Sequence, residues 1–286
     1  MKSIFKLLRP KQWTKNGLVF AALIFAGAIF REGYFLRTLV GFSVFCLISS
    51  SVYVLNDIVD RGKDRLHPKK KDRPVASGAI SVPIAVCLLV VLLLVTLVVA
   101  YVLNVYFFLV ILAYFLINVA YSLALKKIAI LDIMCIASGF VLRALSGSFL
   151  IDVGISPWLI VCTLLLALFL AIHKRKGEIA RMEGEGNQRQ TREVLKFYTS
   201  DMLRDMSSAI DSATIMAYCL YTISQENSLL LMTTIPFVIY GLFRYQLILH
   251  TKDLAETPDM ALLKDKPLLI DIFLWGVLCM AIIYCL

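Results

Sequence analysis

Apolar residues fill this chain in long unbroken runs, and polar residues are confined to the gaps between them. Runs of near-spanning length cover about 17–30, 35–56, 80–103, 105–124, 128–151, 157–173, 206–225, 228–249 and 268–286. A helix needs roughly 20 apolar residues to cross the hydrocarbon core of a bilayer. The pattern therefore predicts nine membrane helices, the first short or tilted. The longest polar stretches are 57–79, 174–204 and 250–267, too little for a soluble domain. The expected architecture is an all-α integral membrane protein, one polytopic domain over 1–286. Nine transmembrane helices would bundle around a cytoplasm-facing polar cavity, with functional loops at about 57–79 and 174–204.

Composition agrees: the 286 residues are 60% hydrophobic and 17% charged, with a mean hydropathy of +0.82. A soluble domain of this size cannot bury that much apolar surface. Charge then orders the topology. Lys2, Lys6, Arg9, Lys11 and Lys15 precede the first run, and the 57–79 and 174–204 loops hold seven and eight Lys or Arg. The 125–127 and 250–267 segments add five, while the opposite side receives only Arg31 and Arg37. The positive-inside rule puts the N-terminus and the Asp-bearing loop in the cytoplasm and the C-terminus outside, in an inner (plasma) membrane.

That bias, with attraction to anionic lipid, accounts for most of the net charge of +9. No zinc-finger or nucleic-acid-binding pattern is present, so a nucleic-acid partner is excluded. The seven cysteines lie in apolar runs without CxxC spacing and read as small hydrophobes, neither disulfides nor metal ligands. The 17–30 stretch has the length of a signal-peptide core. Pro10 and Trp13 before it and Arg31-Glu32 directly after it favour a retained first span.

The two large basic loops follow the second and sixth runs, which suggests a weak internal repeat with matching sites facing one another. The 174–204 loop reads as a helix, a turn bearing Gly184, Gly186 and Asn187, and a second amphipathic helix that includes Val194, Leu195 and Tyr198.

The densest chemistry runs from Asn56 to Gly78. Asp57, Asp60 and Asp64 are spaced i, i+3, i+7, so a helix projects them from one face. Three like charges there repel unless a cation sits among them. Mg²⁺ suits the place, because it takes oxygen ligands and is shared between one or two carboxylates and phosphate oxygens. Asp57 and Asp60 are the expected ligands. Asp64, farther out, is a further ligand, a supporting group or a solvated charge. The plainer alternative pairs these carboxylates with Arg61, Lys63 or Arg65. Pro68 bars αR at His67 and ends the helix there. Lys69, Lys70, Lys71 and Arg73 then fold back, and Ser77 stands where it would cap the next helix. Asp132 and Arg143 lie about 16 Å apart along a helix axis and cannot pair. An intramembrane arginine without a local partner is a site candidate or half of a structural pair with another helix, and Arg244 invites the same argument more weakly. No Ser/His/Asp, HExxH or P-loop arrangement is present.

Asn56-Asp57-x-x-Asp60-x-x-x-Asp64 resembles the first aspartate motif of the UbiA-type intramembrane transferases. Further stretches resemble one branch, the polyprenyl-phosphate (decaprenyl-phosphate) phosphoribosyltransferases. They are Leu8-Arg9-Pro10-Lys11-Gln12-Trp13-Thr14-Lys15-Asn16, Arg73-Pro74-x-Ala76-Ser77-Gly78, Tyr121-Ser122-x-x-Leu125-Lys126 and Ala137-Ser138-Gly139-Phe140-x-Leu142-Arg143. Ile155-Ser156-Pro157-Trp158, Lys174-Arg175-x-x-Glu178, Arg244-Tyr245 and Lys264-Asp265-Lys266-Pro267-Leu268 continue the match over nearly the whole chain. The resemblance implies nine helices and a cytoplasmic, Mg²⁺-bound diphosphate site. It implies transfer of 5-phosphoribosyl from phosphoribosyl diphosphate (PRPP) to a polyprenyl phosphate. Asp57, Asp60 and Asp64 become the expected catalytic residues. Lys15, Asn56, Lys70, Arg73, Tyr121, Lys126, Arg143, Lys174, Arg175 and Glu178 become the expected substrate contacts.

One departure bears on the donor. Other UbiA-type enzymes carry a second aspartate motif after the sixth helix, where this chain reads Lys174-Arg175-Lys176-Gly177-Glu178. Two acidic clusters suit a prenyl diphosphate held by several Mg²⁺ ions. One acidic and one basic cluster suit a donor with phosphate at both ends. The competing readings are a prenyltransferase using a prenyl diphosphate and a small aromatic or polyol acceptor, and a cation-coupled transporter. Transporter sites lie near the midplane on broken helices, which argues against the last. A homo-oligomer is left open.

Overall fold

The computed structural model describes residues 2–67, 70–185, 193–225, 227–251 and 265–285. Pro68, Lys69, the turn expected at Gly186-Asn187 and the polar run 252–264 lie outside them. Among the described residues every regular element is a helix and none is a strand. Seven helices are long and apolar enough to cross a membrane: Tyr34–Val59, Val82–Leu103, Val105–Leu123, Leu131–Ile151, Pro157–Ile179, Ser228–Leu249 and Lys266–Cys285. The chain forms two compact units, Met1–Ile155 and Ser156–Leu286.

The first unit holds α1 (Lys2–Leu8), a 3₁₀ segment (Pro10–Phe20), α2 (Ala21–Phe25), α3 (Tyr34–Val59), α4 (Arg61–Leu66), α5 (Val82–Leu103), α6 (Val105–Leu123) and α7 (Leu131–Ile151). The expected first span is not one long helix. Pro10 excludes αR at Arg9, which takes a left-handed conformation (φ 52°), and Gly27 (φ 63°) follows the end of α2. α5 and α6 meet at Asn104, whose side chain accepts from the amides of Tyr106 (2.7 Å) and Phe107 (3.1 Å) and caps α6. α3 packs against α5, α6 and α7. Phe45 of α3 meets Phe107 and Tyr114 of α6 edge-on, at ring-centre distances of 6.2 and 5.5 Å. Gly147 brings α7 against the 3₁₀ segment, since a Cβ there would strike the Val19 carbonyl. That close approach fixes Asn16 relative to α7.

Helix α4 stops where expected: His67, before Pro68, is extended at φ −91° and ψ 128°. The expected cap is corrected. Ser77 Oγ donates to the Pro74 carbonyl (3.4 Å) in a turn, and α5 starts five residues later, after Ser81.

The second unit holds α8 (Pro157–Glu185), a 3₁₀ turn (Glu193–Phe197), α9 (Ser200–Ile223), α10 (Ser228–Met232), α11 (Ile235–Thr251) and α12 (Lys266–Cys285). α8 runs well past the expected end of its span at 173, through a stretch rich in good helix formers. The expected second amphipathic helix is instead the 3₁₀ turn, with Val194, Leu195 and Tyr198 all buried, followed by α9 capped by Thr199. α9 covers most of the expected seventh span. Asp211 and the Ser, Thr and Tyr residues along it lower its hydropathy, and it is not among the seven apolar helices. Phe169 of α8, Leu242, Tyr245 and Ile248 of α11 and Leu268 of α12 form this unit's core.

Candidate active site

The C-terminal end of α3 and the start of α4 carry the three carboxylates, and residues far away in sequence supply their partners. Asp57 is 1% exposed; its Oδ1 accepts from Arg9 Nη2 at 2.6 Å and lies 3.4 Å from Arg73 Nη1. The Arg9 guanidinium also lies over the Tyr53 ring, 4.8 Å from its centre. Arg73 reaches Asp64 as well, Nη1 to Oδ2 at 2.6 Å, so one guanidinium bridges two acids. Asp60 is partly exposed and accepts from Lys126 Nζ at 2.8 Å. The local partners Arg61, Lys63 and Arg65 are not the ones that pair with Asp57 and Asp64; Arg65 Nε instead donates to the Ala76 carbonyl (3.0 Å). Asn56 Oδ1 accepts from Ser122 Oγ, tying α3 to the end of α6 beside Tyr121. Lys70, half-buried, sits in the turn after α4, its amide donating to the His67 carbonyl (3.2 Å).

Deeper in the same unit lies the arginine of α7. Arg143 is buried and donates from Nε to Asn16 Oδ1 (2.8 Å), from Nη1 to the Gly139 carbonyl (2.7 Å) and from Nη2 to the Tyr114 hydroxyl (2.8 Å). Lys15 precedes Asn16 in the same 3₁₀ segment. The first unit thus brings together Asn56, Asp57, Asp60, Asp64, Arg73 and Lys126 around the end of α3, and it also holds Lys15, Lys70, Tyr121 and Arg143.

In the second unit Lys174, Arg175 and Glu178 share one stretch of α8. Arg175 is fully buried, and its Nη1 donates to Glu178 Oε2 at 2.6 Å. Arg244 is answered differently from Arg143: Nε and Nη2 donate to the two oxygens of Asp265, both at 3.0 Å.

The model of the UbiA prenyltransferase family matches residues 17–277. The chain belongs to the UbiA prenyltransferase family. Among its relatives, the decaprenyl-phosphate phosphoribosyltransferase of Mycolicibacterium smegmatis is 33% identical over 96% of this chain and 90% of its own length. The enzyme of the same name from Corynebacterium glutamicum is 33% identical over 95% of this chain and 84% of its own. Among solved structures, a UbiA homolog from Archaeoglobus fulgidus bound to GPP and Mg²⁺ superposes with a TM-score of 0.75 at 21% identity. It covers 98% of this chain and 99% of its own, so the two share the UbiA fold. With seven apolar helices, this UbiA family member is a multi-pass membrane protein.

A divalent cation fits the acidic end of this candidate site. Asp57 Oδ2 is buried and has no hydrogen-bond partner, although Oδ1 of the same group has two basic neighbours. Among the described residues no three His, Cys, Asp or Glu side chains group as a metal cage. Mg²⁺ does not need one, since it takes one or two carboxylates and completes its shell with water and phosphate oxygens.

Sequence reasoning about this UbiA member did not assign Arg9, Asn16, Tyr114 or Ser122 to the site. Arg9 and Asn16 lie within the LRPKQWTKN opening and are legible there as polar residues before an apolar run. Tyr114 carries no signal, because a tyrosine within an apolar run reads as core.

Proposed function

We propose that the protein transfers 5-phosphoribosyl from PRPP to a polyprenyl (decaprenyl-type) phosphate and releases diphosphate. The observation that carries this reading is the two-signed cluster at the end of α3. Asp57, Asp60 and Asp64 are interleaved with Arg9, Arg73 and Lys126, so the site has ligands for a cation and donors for phosphate within one hydrogen-bonded group. The relatives named for this reaction, matched along almost their full length, support it.

In this reaction the bond from C1 of the ribosyl group to the diphosphate oxygen breaks, and the lipid phosphate oxygen forms the new bond to C1. Asp57 and Asp60 would hold Mg²⁺, which when bound offsets the charge gathering on the departing diphosphate. Arg73, Lys126 and Arg9 are donors for its oxygens, and Asn56 and Tyr121 border it. Asp64 holds Arg73 in place. The nucleophile is a phosphate oxygen already anionic near pH 7, so no strong general base is required. Lys15, Lys70 and Arg143 add positive charge in the first unit. Lys174 and Arg175 are further anion contacts, with Glu178 for ribose hydroxyls. The 17–30 segment and α9 complete a count of nine spans. The active site and N-terminus face the cytoplasm of an inner (plasma) membrane, with the C-terminus outside.

The test supplies labelled PRPP, polyprenyl phosphate and Mg²⁺ to purified protein and follows label into the lipid fraction. Incorporation that stops with EDTA is expected. Incorporation only from a prenyl diphosphate would replace this reading with the prenyltransferase one.

A further inference from the structure

Arg143 presents an energetic problem that the fold leaves unsolved. It lies near the middle of α7, 7% exposed, where an unpaired charge is costly. Every bond it makes is to a neutral group: the Asn16 amide oxygen, the Gly139 carbonyl and the Tyr114 hydroxyl. Among the described residues no carboxylate pairs with it, whereas Arg9, Arg73, Lys126, Arg175 and Arg244 all have one. A guanidinium carries five N–H donors, and these contacts use three.

The neutral partners are themselves held. Asn16 Nδ2 donates to Ser49 Oγ (3.2 Å) and Cys46 Sγ (3.4 Å), which turns its oxygen toward Arg143. The guanidinium lies over the rings of Tyr114 and Phe140, 4.8 and 5.5 Å from their centres. Ser49, Ser50 and Ser51 make α3 polar at the same depth. Ser49 lies eight residues before Asp57, about 12 Å along the helix axis. The cation is oriented, desolvated and lacks only an anion.

We propose that Arg143, positioned by Asn16 and Tyr114, is the receptor for a phosphate monoester, beneath the carboxylate end. The inference rests on the phosphoribosyl-transfer reading, in which the donor's 5-position and the acceptor's head group each carry such a phosphate. It makes Arg143 a specificity determinant. A dianion offsets the cost of the buried cation, and an apolar prenyl chain at that depth leaves it uncompensated.

The experiment compares PRPP with ribosyl 1-diphosphate, which lacks the 5-phosphate, in the wild type and in Arg143→Gln and Arg143→Lys. For the wild type, loss of the 5-phosphate should lower kcat/KM roughly 100-fold, as two charge-assisted hydrogen bonds would give. In Arg143→Gln that preference should fall to about threefold, with partial recovery in Arg143→Lys. If Arg143→Gln keeps the donor preference and raises the KM for the lipid phosphate instead, the monoester is the acceptor's and the subsite stands. If neither changes, the subsite is overturned. Should the wild type move no label from PRPP, the reaction assignment fails separately. The subsite is then judged by whether inorganic phosphate raises the melting temperature of the wild type and not of Arg143→Gln. A variant that does not fold is replaced by Asn16→Ala, which should weaken the same preference by freeing the guanidinium.

Discussion

Arg143 of the first unit and Arg244 of the second both lie inside membrane helices, and the protein treats them oppositely. Arg244 in α11 is closed off by a bidentate contact with buried Asp265. Arg143 in α7 is gripped by three neutral groups and left charged. A buried pair is neutral as a unit, and its main consequence is structural: removing one partner strands the other. A buried lone cation contributes little to stability and costs desolvation. Such a cation is what the proposed phosphate subsite uses. The carboxylate end of α3 is an intermediate case, paired like Arg244 but with one buried oxygen, Asp57 Oδ2, unspent.

The comparison can be broken in several ways. The largest effect is expected from Asp57→Asn, which should lower lipid labelling on the order of 10³-fold if the unspent oxygen serves a metal. Manganese binding followed by electron paramagnetic resonance should weaken in parallel; unchanged binding would make Asp57 merely structural. Next is the arginine pair itself. Arg244→Met should lower the melting temperature by stranding Asp265, and Arg244→Met/Asp265→Leu should recover most of the loss. Arg143→Met should instead lose activity by about 100-fold while the melting temperature in detergent stays level or rises. A large stability loss in Arg143→Met would erase the distinction.

Gly147→Ala comes third. A methyl there meets the Val19 carbonyl, so the 3₁₀ segment bearing Asn16 must shift. The expected cost is about 1–3 kcal/mol of stability, read by thermal unfolding, with the donor preference weakened and Mg²⁺ dependence kept. Ser122→Ala should have the smallest effect, roughly a few-fold in turnover, because it removes one neutral hydrogen bond to Asn56.

The clustering of the carboxylates was legible: three aspartates at helical spacing beside an apolar run come together at the end of α3. Their partners were not. Arg61, Lys63 and Arg65 are the near neighbours in sequence, yet Arg9, Arg73 and Lys126 make the pairs, because the chain before α3 and the loop after α4 fold back over its end. The helix stop at His67 followed from Pro68, a local steric effect. The first span is not a single α-helix because it is 3₁₀ as far as Phe20 and α2 ends at Phe25, just before left-handed Gly27, and the apolar run alone hid both. Ser77 had the right type for a cap and the wrong place, which only the Pro74–Ile80 turn decides.

The sequence by itself determined membership of a membrane, the run of helices and the acidic motif, because hydropathy and i, i+3, i+7 spacing act along a single segment. The tertiary structure alone decided which charges are neutralised. Whether Arg143 or Arg244 meets a carboxylate depends on which helices pack together at that depth, and no local pattern encodes that.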